Sequence, residues 1–140
     1  MTIFVLDASV VAKWFAQEPF ADQASLLLDD RHQLHAPDFL LVEMDNVLAT
    51  WVRRGALTRS AASEARKTLR RCPLQLHEAS ALLDPAWTIA LHTGASIYDS
   101  LYVALAAFLK AKLVTADRKL LDALAPTPFS KHLLWIESVT

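Results

Sequence analysis

The sequence predicts an α/β fold, with a mainly parallel sheet covered by helices on both faces. Short β-branched or apolar runs alternate with helix-forming segments along the whole chain, the pattern that links parallel strands through helical crossovers. At 140 residues the chain has the size of one domain, so a single domain spanning 1–140 with one core is expected. An apolar fraction of 54% with only two glycines leaves little room for linkers, and apolar surface beyond the needs of the core favours a partner.

Thr2 to Leu6 is a β-branched and aromatic run ending at Asp7, which predicts a buried strand; a helix over Ala8 to Phe15 follows, and Pro19 ends it. Phe20 to Asp30 reads as helix and His32 to Ala36 as a second strand. Pro37-Asp38 opens a long amphipathic helix reaching about Arg54, where Gly55 stops it. A Thr58 cap starts a basic helix to Arg71, and Cys72-Pro73 breaks the chain before a strand at Leu74 to His77. Ser80 to His92 is a further helix, in which Pro85 demands a late start or a kink, and Gly94 ends it. Asp99 heads a helix that is apolar nearly all round from Leu101 to Leu109, as expected of an element packed inside the domain. Leu113 to Thr115 is a strand, Asp117 to Leu124 a short helix and Leu133 to Ile136 the last strand.

The overall charge is nearly balanced, with 14 basic and 15 acidic side chains, so the whole-protein field gives no reason for non-specific nucleic-acid binding. Its distribution is uneven. Arg53, Arg54, Arg59, Arg66, Lys67, Arg70 and Arg71 face only Glu64 in the same segment, which suggests a nearby polyanion, with Arg53, Arg54, Arg66 and Arg70 as candidate contacts; a solvated helical face is the plain alternative. The single cysteine, Cys72, excludes an internal disulfide and fits a reducing, cytoplasmic setting. The opening MTIFVLD is too short an apolar run for a signal peptide, and the Leu101 to Leu109 stretch is half a membrane span, so no membrane association is expected.

Four acids stand out. In open parallel sheets ligands bind beyond the carboxyl ends of the strands, and Asp7 and Asp117 directly follow predicted strands, although each can also serve as a helix cap. Glu43 falls inside the apolar stripe Leu40, Met44, Val47, Leu48, Trp51, where a carboxylate needs a cation, hydrogen-bond donors or protonation unless it reaches solvent at the stripe edge. Asn46, one turn beyond, can orient that carboxylate or simply face solvent; Asp45 is offset around the helix and reads as a surface acid. Asp99, at a helix start, satisfies the dipole as a cap or faces the same crevice. Were all four to converge, they would repel one another unless a hard cation neutralised them, and magnesium or manganese suits an all-oxygen site of this kind.

Other chemistries lack their signatures. The histidines His32, His35, His77, His92 and His132 form no HExxH or i, i+4 pair and read as surface or boundary residues. Ser9 has no GxSxG elbow, Cys72 no partner motif, and there is no glycine-rich phosphate loop. A dehalogenase-like phosphatase wants a second Asp where Ser9 stands, and a receiver wants an adjacent acidic pair near Asp7. Trp14, Trp51, Trp87 and Trp135 read mostly as core, while Trp14 with Phe15 and Phe20 can instead form an apolar docking surface.

The blocks FVLDASVVAKWF, PDFLLVEMDNVLATWVRRG, YDSLYVALA and LVTADRKL, in this order and spacing, resemble the PIN domain family and, within it, the VapC-like toxin ribonucleases of toxin–antitoxin pairs. The resemblance implies a three-layer α/β/α sandwich and a magnesium- or manganese-dependent endoribonuclease. Asp7, Glu43, Asp99 and Asp117 match the family's acidic positions, the first three as principal ligands and the fourth as ligand or orienting group, while Ser9, Asn46 and Thr115 match frequent polar neighbours. It further implies water attacking phosphorus in line to leave a 3′-hydroxyl and a 5′-phosphate, a cognate antitoxin as partner, and a homodimer. Asp45 departs from the family pattern, putting an extra charge beside Glu43. The alternatives are a catalytically silent RNA- or protein-binding module, against which the presence of all four acids speaks, and another metal-dependent phosphoryl-transfer enzyme.

Overall fold

The computed structural model describes residues 1–140. Five strands, β1 (Thr2–Leu6), β2 (His32–Pro37), β3 (Leu74–His77), β4 (Lys112–Thr115) and β5 (Leu133–Trp135), form one sheet in the order β3-β2-β1-β4-β5 with every pair parallel. The helices are α1 (Ala8–Val11), α2 (Ala21–Leu26), α3 (Phe39–Arg53), α4 (Arg59–Arg71), α5 (Leu83–Thr93), α6 (Ile97–Leu109) and α7 (Arg118–Leu124). Right-handed crossovers carry the chain leftward from β1 through β2 to β3 with α1, α3 and α4 packed together on one face, then back past β1 to β4 and β5 with α5 to α7 on the other. The result is the expected three-layer α/β/α sandwich. Strand order reverses between β1 and β4, the switch point at which such sheets open a crevice.

The central strands are buried on both sides, as continuous apolar sequence in a parallel sheet requires. Val5, Leu6, Leu34, Leu113 and Val114 join the α6 residues Val103, Leu105 and Ala106 in a continuous core of 30 residues. A satellite cluster of Leu48, Ala62 and Ala65 holds α4 to α3. Near it Arg66 grips Asp45 through two hydrogen bonds of 2.8 and 2.9 Å, which turns the extra acid beside Glu43 away from the crevice and neutralises it.

Several boundaries differ from the sequence reading for local reasons. Ala8 to Phe15 is α1 followed by a tighter 3-10 turn at Ala12–Trp14, and Phe20 to Asp30 contracts to α2: Phe20 adopts left-handed φ (68°) just ahead of it, and Leu27 to Asp30 continue only as turns. Pro37 closes β2 instead of opening α3. Pro85 lies in the first turn of α5, where a missing N–H leaves no gap, so the late start holds and no kink is needed. Asp99 does not head α6: Ser96 is the cap, its hydroxyl accepting the Asp99 N–H at 3.0 Å. Gly94 ends α5 in the left-handed region (φ 79°), which glycine adopts without a Cβ penalty.

Two apolar expectations are corrected. Trp14, Phe15 and Phe20 are half-buried against the core, with the Trp14 indole N–H donating to the Ala24 carbonyl at 2.8 Å, and so form no free docking surface. Trp87 is not core but 61% exposed. Among the histidines, His35 is buried and its Nδ1 lies 2.8 Å from His77 Nε2; burial, then the neighbouring imidazole, holds the His35 pKa down.

Leu105 is fully buried between α6 and the sheet. Leu105→Ala is expected to lower unfolding free energy by about 2–5 kcal/mol in urea titration; a loss below ~1 kcal/mol would contradict its place in the core.

Candidate metal centre

The crevice is built from strand ends and helix starts. Asp7 terminates β1 and is only 6% exposed. Its Oδ1 accepts from the Ser9 hydroxyl at 2.5 Å and from the Val10 N–H at 3.3 Å, and its Oδ2 accepts from the Thr115 hydroxyl, at the end of β4, at 2.6 Å. The two hydroxyls are themselves fixed from the next loop: the Ala116 N–H donates to Ser9 Oγ at 2.9 Å and the Asp117 N–H to Thr115 Oγ1 at 3.1 Å. Both ends of the reversing strands are thereby locked around one carboxylate.

Glu43 projects from α3, half-buried, and accepts the Tyr102 hydroxyl of α6 at 2.5 Å. Tyr102 is the contact that sequence reasoning missed. A tyrosine in an otherwise apolar buried helix was the available signal, since its hydroxyl needs a partner. Asn46 does not supply Glu43's hydrogen bond; its side chain is exposed. Asp99 stands half-buried in the first turn of α6. Asp117 caps α7, Oδ1 accepting the Lys119 and Leu120 N–H groups at 3.0 and 3.3 Å.

The electrostatics tie the four acids together. Burial pushes the Asp7 carboxyl up to about 6; the Ser9 and Thr115 hydroxyls and the Val10 amide counter it, and Asp99 adds to it. Glu43 is raised by burial, with Tyr102 opposing and Asp99 adding, and Asp99 is raised by burial and then by Asp117. Burial and the adjacent Glu43 likewise hold the Tyr102 phenol protonated, so it stays a donor. Asp99 is the acid whose charge is felt by both Asp7 and Glu43. The ion pairs of the chain, Lys13–Glu18, Arg31–Asp29, Arg66–Asp45 and Lys67–Glu64, involve none of the four.

This donor set is all oxygen, negatively charged and without a protein cation, which fits a hard divalent ion. No three Asp, Glu, His or Cys side chains form a tight cage for a metal on their own. Magnesium is characteristically held by one or two carboxylates, with waters and substrate phosphate completing the shell, so an open set of acids suits it better than a closed cage.

The basic residues lie elsewhere. Arg53 and Arg66 border a groove of about 490 Å³ between α3 and α4, together with Arg59. Arg66 is committed to Asp45, Arg70 donates to the Arg66 carbonyl, and Arg53 to Thr50 Oγ1; Arg54 is exposed. Ten residues of α3 separate Glu43 from Arg53, about 15 Å along the axis.

A family model for the PIN domain matches residues 4–125. Ribonuclease VapC3 of Pyrobaculum aerophilum is 34% identical over 120 residues, covering 84% of this chain and 92% of the relative. A crystal structure of a protein from the same organism aligns with a TM-score of 0.73 at 23% identity, over 98% of this chain and 85% of that one. A toxin–antitoxin complex from Klebsiella pneumoniae aligns at 0.62 and 14% identity, over 96% of each chain; at such identities the two structures speak for the fold alone.

Because its folded carboxyl is raised from 3.8 to about 6, Asp7 favours folding while protonated, and that contribution is lost as pH rises from below 4 through about 6. In EDTA, Asp7→Asn is therefore expected to be more stable than the wild type at pH 7.5, by up to ~3 kcal/mol, with the gap closing toward pH 4. Melting curves at the two pH values check this; a less stable variant at pH 7.5 would contradict the unfavourable burial of the charge.

Proposed function

This chain belongs to the PIN domain family, and on that premise we propose that it is a metal-dependent endoribonuclease, the toxin of a toxin–antitoxin pair. The observation that carries the proposal is the arrangement of Asp7, Glu43, Asp99 and Asp117, coupled in charge at the β1/β4 switch point with no protein cation among them.

Asp7, Glu43 and Asp99 would hold a Mg²⁺ or Mn²⁺ ion with waters and substrate phosphate completing its shell, and the ion would supply Lewis acidity toward the phosphodiester and lower the pKa of the attacking water. The chain's own residues prepare that site. Ser9 and Thr115 fix both oxygens of Asp7, and Tyr102 fixes Glu43 Oε1, leaving its other oxygen free. Asp117 spends Oδ1 on its helix and orients the site beside Asp99 with what remains. Arg53 and Arg54, about 15 Å away along α3, and Arg70 on α4 meet the RNA backbone outside the reaction centre. Arg66 acts in holding Asp45.

No helix is long and apolar enough to cross a membrane, and the single unpaired cysteine is compatible with work in the cytoplasm. A cognate antitoxin is the proposed protein partner, in keeping with the likeness to a toxin–antitoxin complex. A homodimer is proposed through the α5 face. Leu83, Trp87 and Leu91, spaced i, i+4, i+8, are all exposed on one face of α5, whereas the exposed Phe108 of α6 lines a separate groove of about 630 Å³ that meets α5 through Pro85, Thr88 and Ile89. This groove is apolar and lined by none of the four acids, which suits association better than chemistry.

Purified, antitoxin-free protein incubated with total bacterial RNA is expected to give discrete fragments only with manganese or magnesium. Asp99→Asn should reduce cleavage at least ~100-fold and weaken the stabilisation that manganese gives the wild type in thermal melts; equal cleavage by the variant removes Asp99 from the site. Trp87→Glu is expected to shift the protein to monomer in sedimentation equilibrium while remaining folded. An unchanged dimer would place the contact elsewhere.

A further inference from the structure

An aromatic pair at the edge of the crevice has no part in the chemistry above. Phe39 is the first residue of α3 and Tyr98 the second of α6; their rings stack with centroids 5.2 Å apart and planes 13° from parallel. Glu43 lies four residues beyond Phe39, and Tyr102 four beyond Tyr98, so on each helix the two residues share a face. The helices therefore meet through two rungs: the aromatic stack and, one turn on (about 5 Å), the hydrogen bond from Tyr102 to Glu43. Asp99 directly follows Tyr98.

The rungs differ in what they expose. Tyr102 is 1% exposed, whereas Tyr98, stacked as it is, remains 55% exposed. The core does not require that ring to face solvent. The arginines of α3 lie at its far end, and Arg66 of α4 is held by Asp45. A flat, braced aromatic surface next to the acids offers binding energy other than charge pairing, in a form that any nucleobase can use.

We infer that Tyr98 is a nucleobase platform: the base beside the scissile phosphate, splayed from a single-stranded segment of RNA, stacks on the open face of Tyr98 while Phe39 braces the other. This rests on the ribonuclease reading. Tyr98 is a positioning residue that sets where along the strand the phosphate meets Asp99 and Glu43, and it tolerates different bases because each offers a π-face.

The test uses a single-stranded oligonucleotide spanning a cleavage site mapped with the wild type, and the full chain carrying Tyr98→Ala, Tyr98→Phe or Tyr98→Trp, each checked for a native melt. Tyr98→Ala is expected to raise KM about ten-fold with kcat within about two-fold, while Phe and Trp keep KM near the wild-type value. In the non-cleaving Asp99→Asn background, the same RNA with 2-aminopurine beside the scissile phosphate should be quenched on binding when residue 98 is aromatic, and not when it is Ala. An unchanged KM for Tyr98→Ala, or a fall in kcat with quenching retained, overturns the platform while leaving the ribonuclease intact. Absence of any cleavage by folded wild-type protein overturns the ribonuclease reading and the platform with it.

Discussion

A carboxylate buried at the point where the strand order reverses organises this molecule. Asp7 is held by two side-chain hydroxyls and one backbone amide, and those hydroxyls are pinned in turn by the amides of Ala116 and Asp117. The first strand and the fourth, more than a hundred residues apart in sequence, are therefore joined at their ends by a polar network as well as by the sheet ladder. Three donors do not compensate for burial, since the carboxyl remains raised. The fold thus keeps a poorly solvated charge at its centre, and a divalent cation is the natural complement to it.

The rest of the crevice follows from the same geometry. Glu43 and Asp99 arrive on helices from opposite faces of the sheet, and Tyr102 joins α6 to α3 through Glu43. Asp117 is placed by its own helix start and by Thr115, which already serves Asp7. The extra acid, Asp45, is neutralised by Arg66 of α4, while Arg53 and Arg54 stand at the far end of α3.

The apolar face of α5 and α6 is a separate feature. Its groove includes His77, whose imidazole meets the buried His35, so the back of the sheet carries a polar pair beneath an apolar rim. The surface proposed for association is thus separate from the four acids.

The alternation of apolar runs and helix signals determined the five parallel strands, the order of the helices and the positions of Asp7 and Asp117, because these depend on periodicity and on hydrogen bonds between near neighbours. The stripe of α3 likewise made Glu43 legible as a core-facing acid. A local signal failed where a neighbour in sequence competed, since Ser96 takes the cap expected of Asp99; α2 also ends early, at Leu26, and the chain continues in turns to Asp30. Only the tertiary structure decided that Tyr102, not Asn46, holds Glu43, that Trp87 faces solvent while Trp14 packs inward, and that Tyr98 stacks on Phe39. Each of these depends on which faces of two distant helices meet, and that is fixed by packing across the sheet, which no pattern along one segment contains.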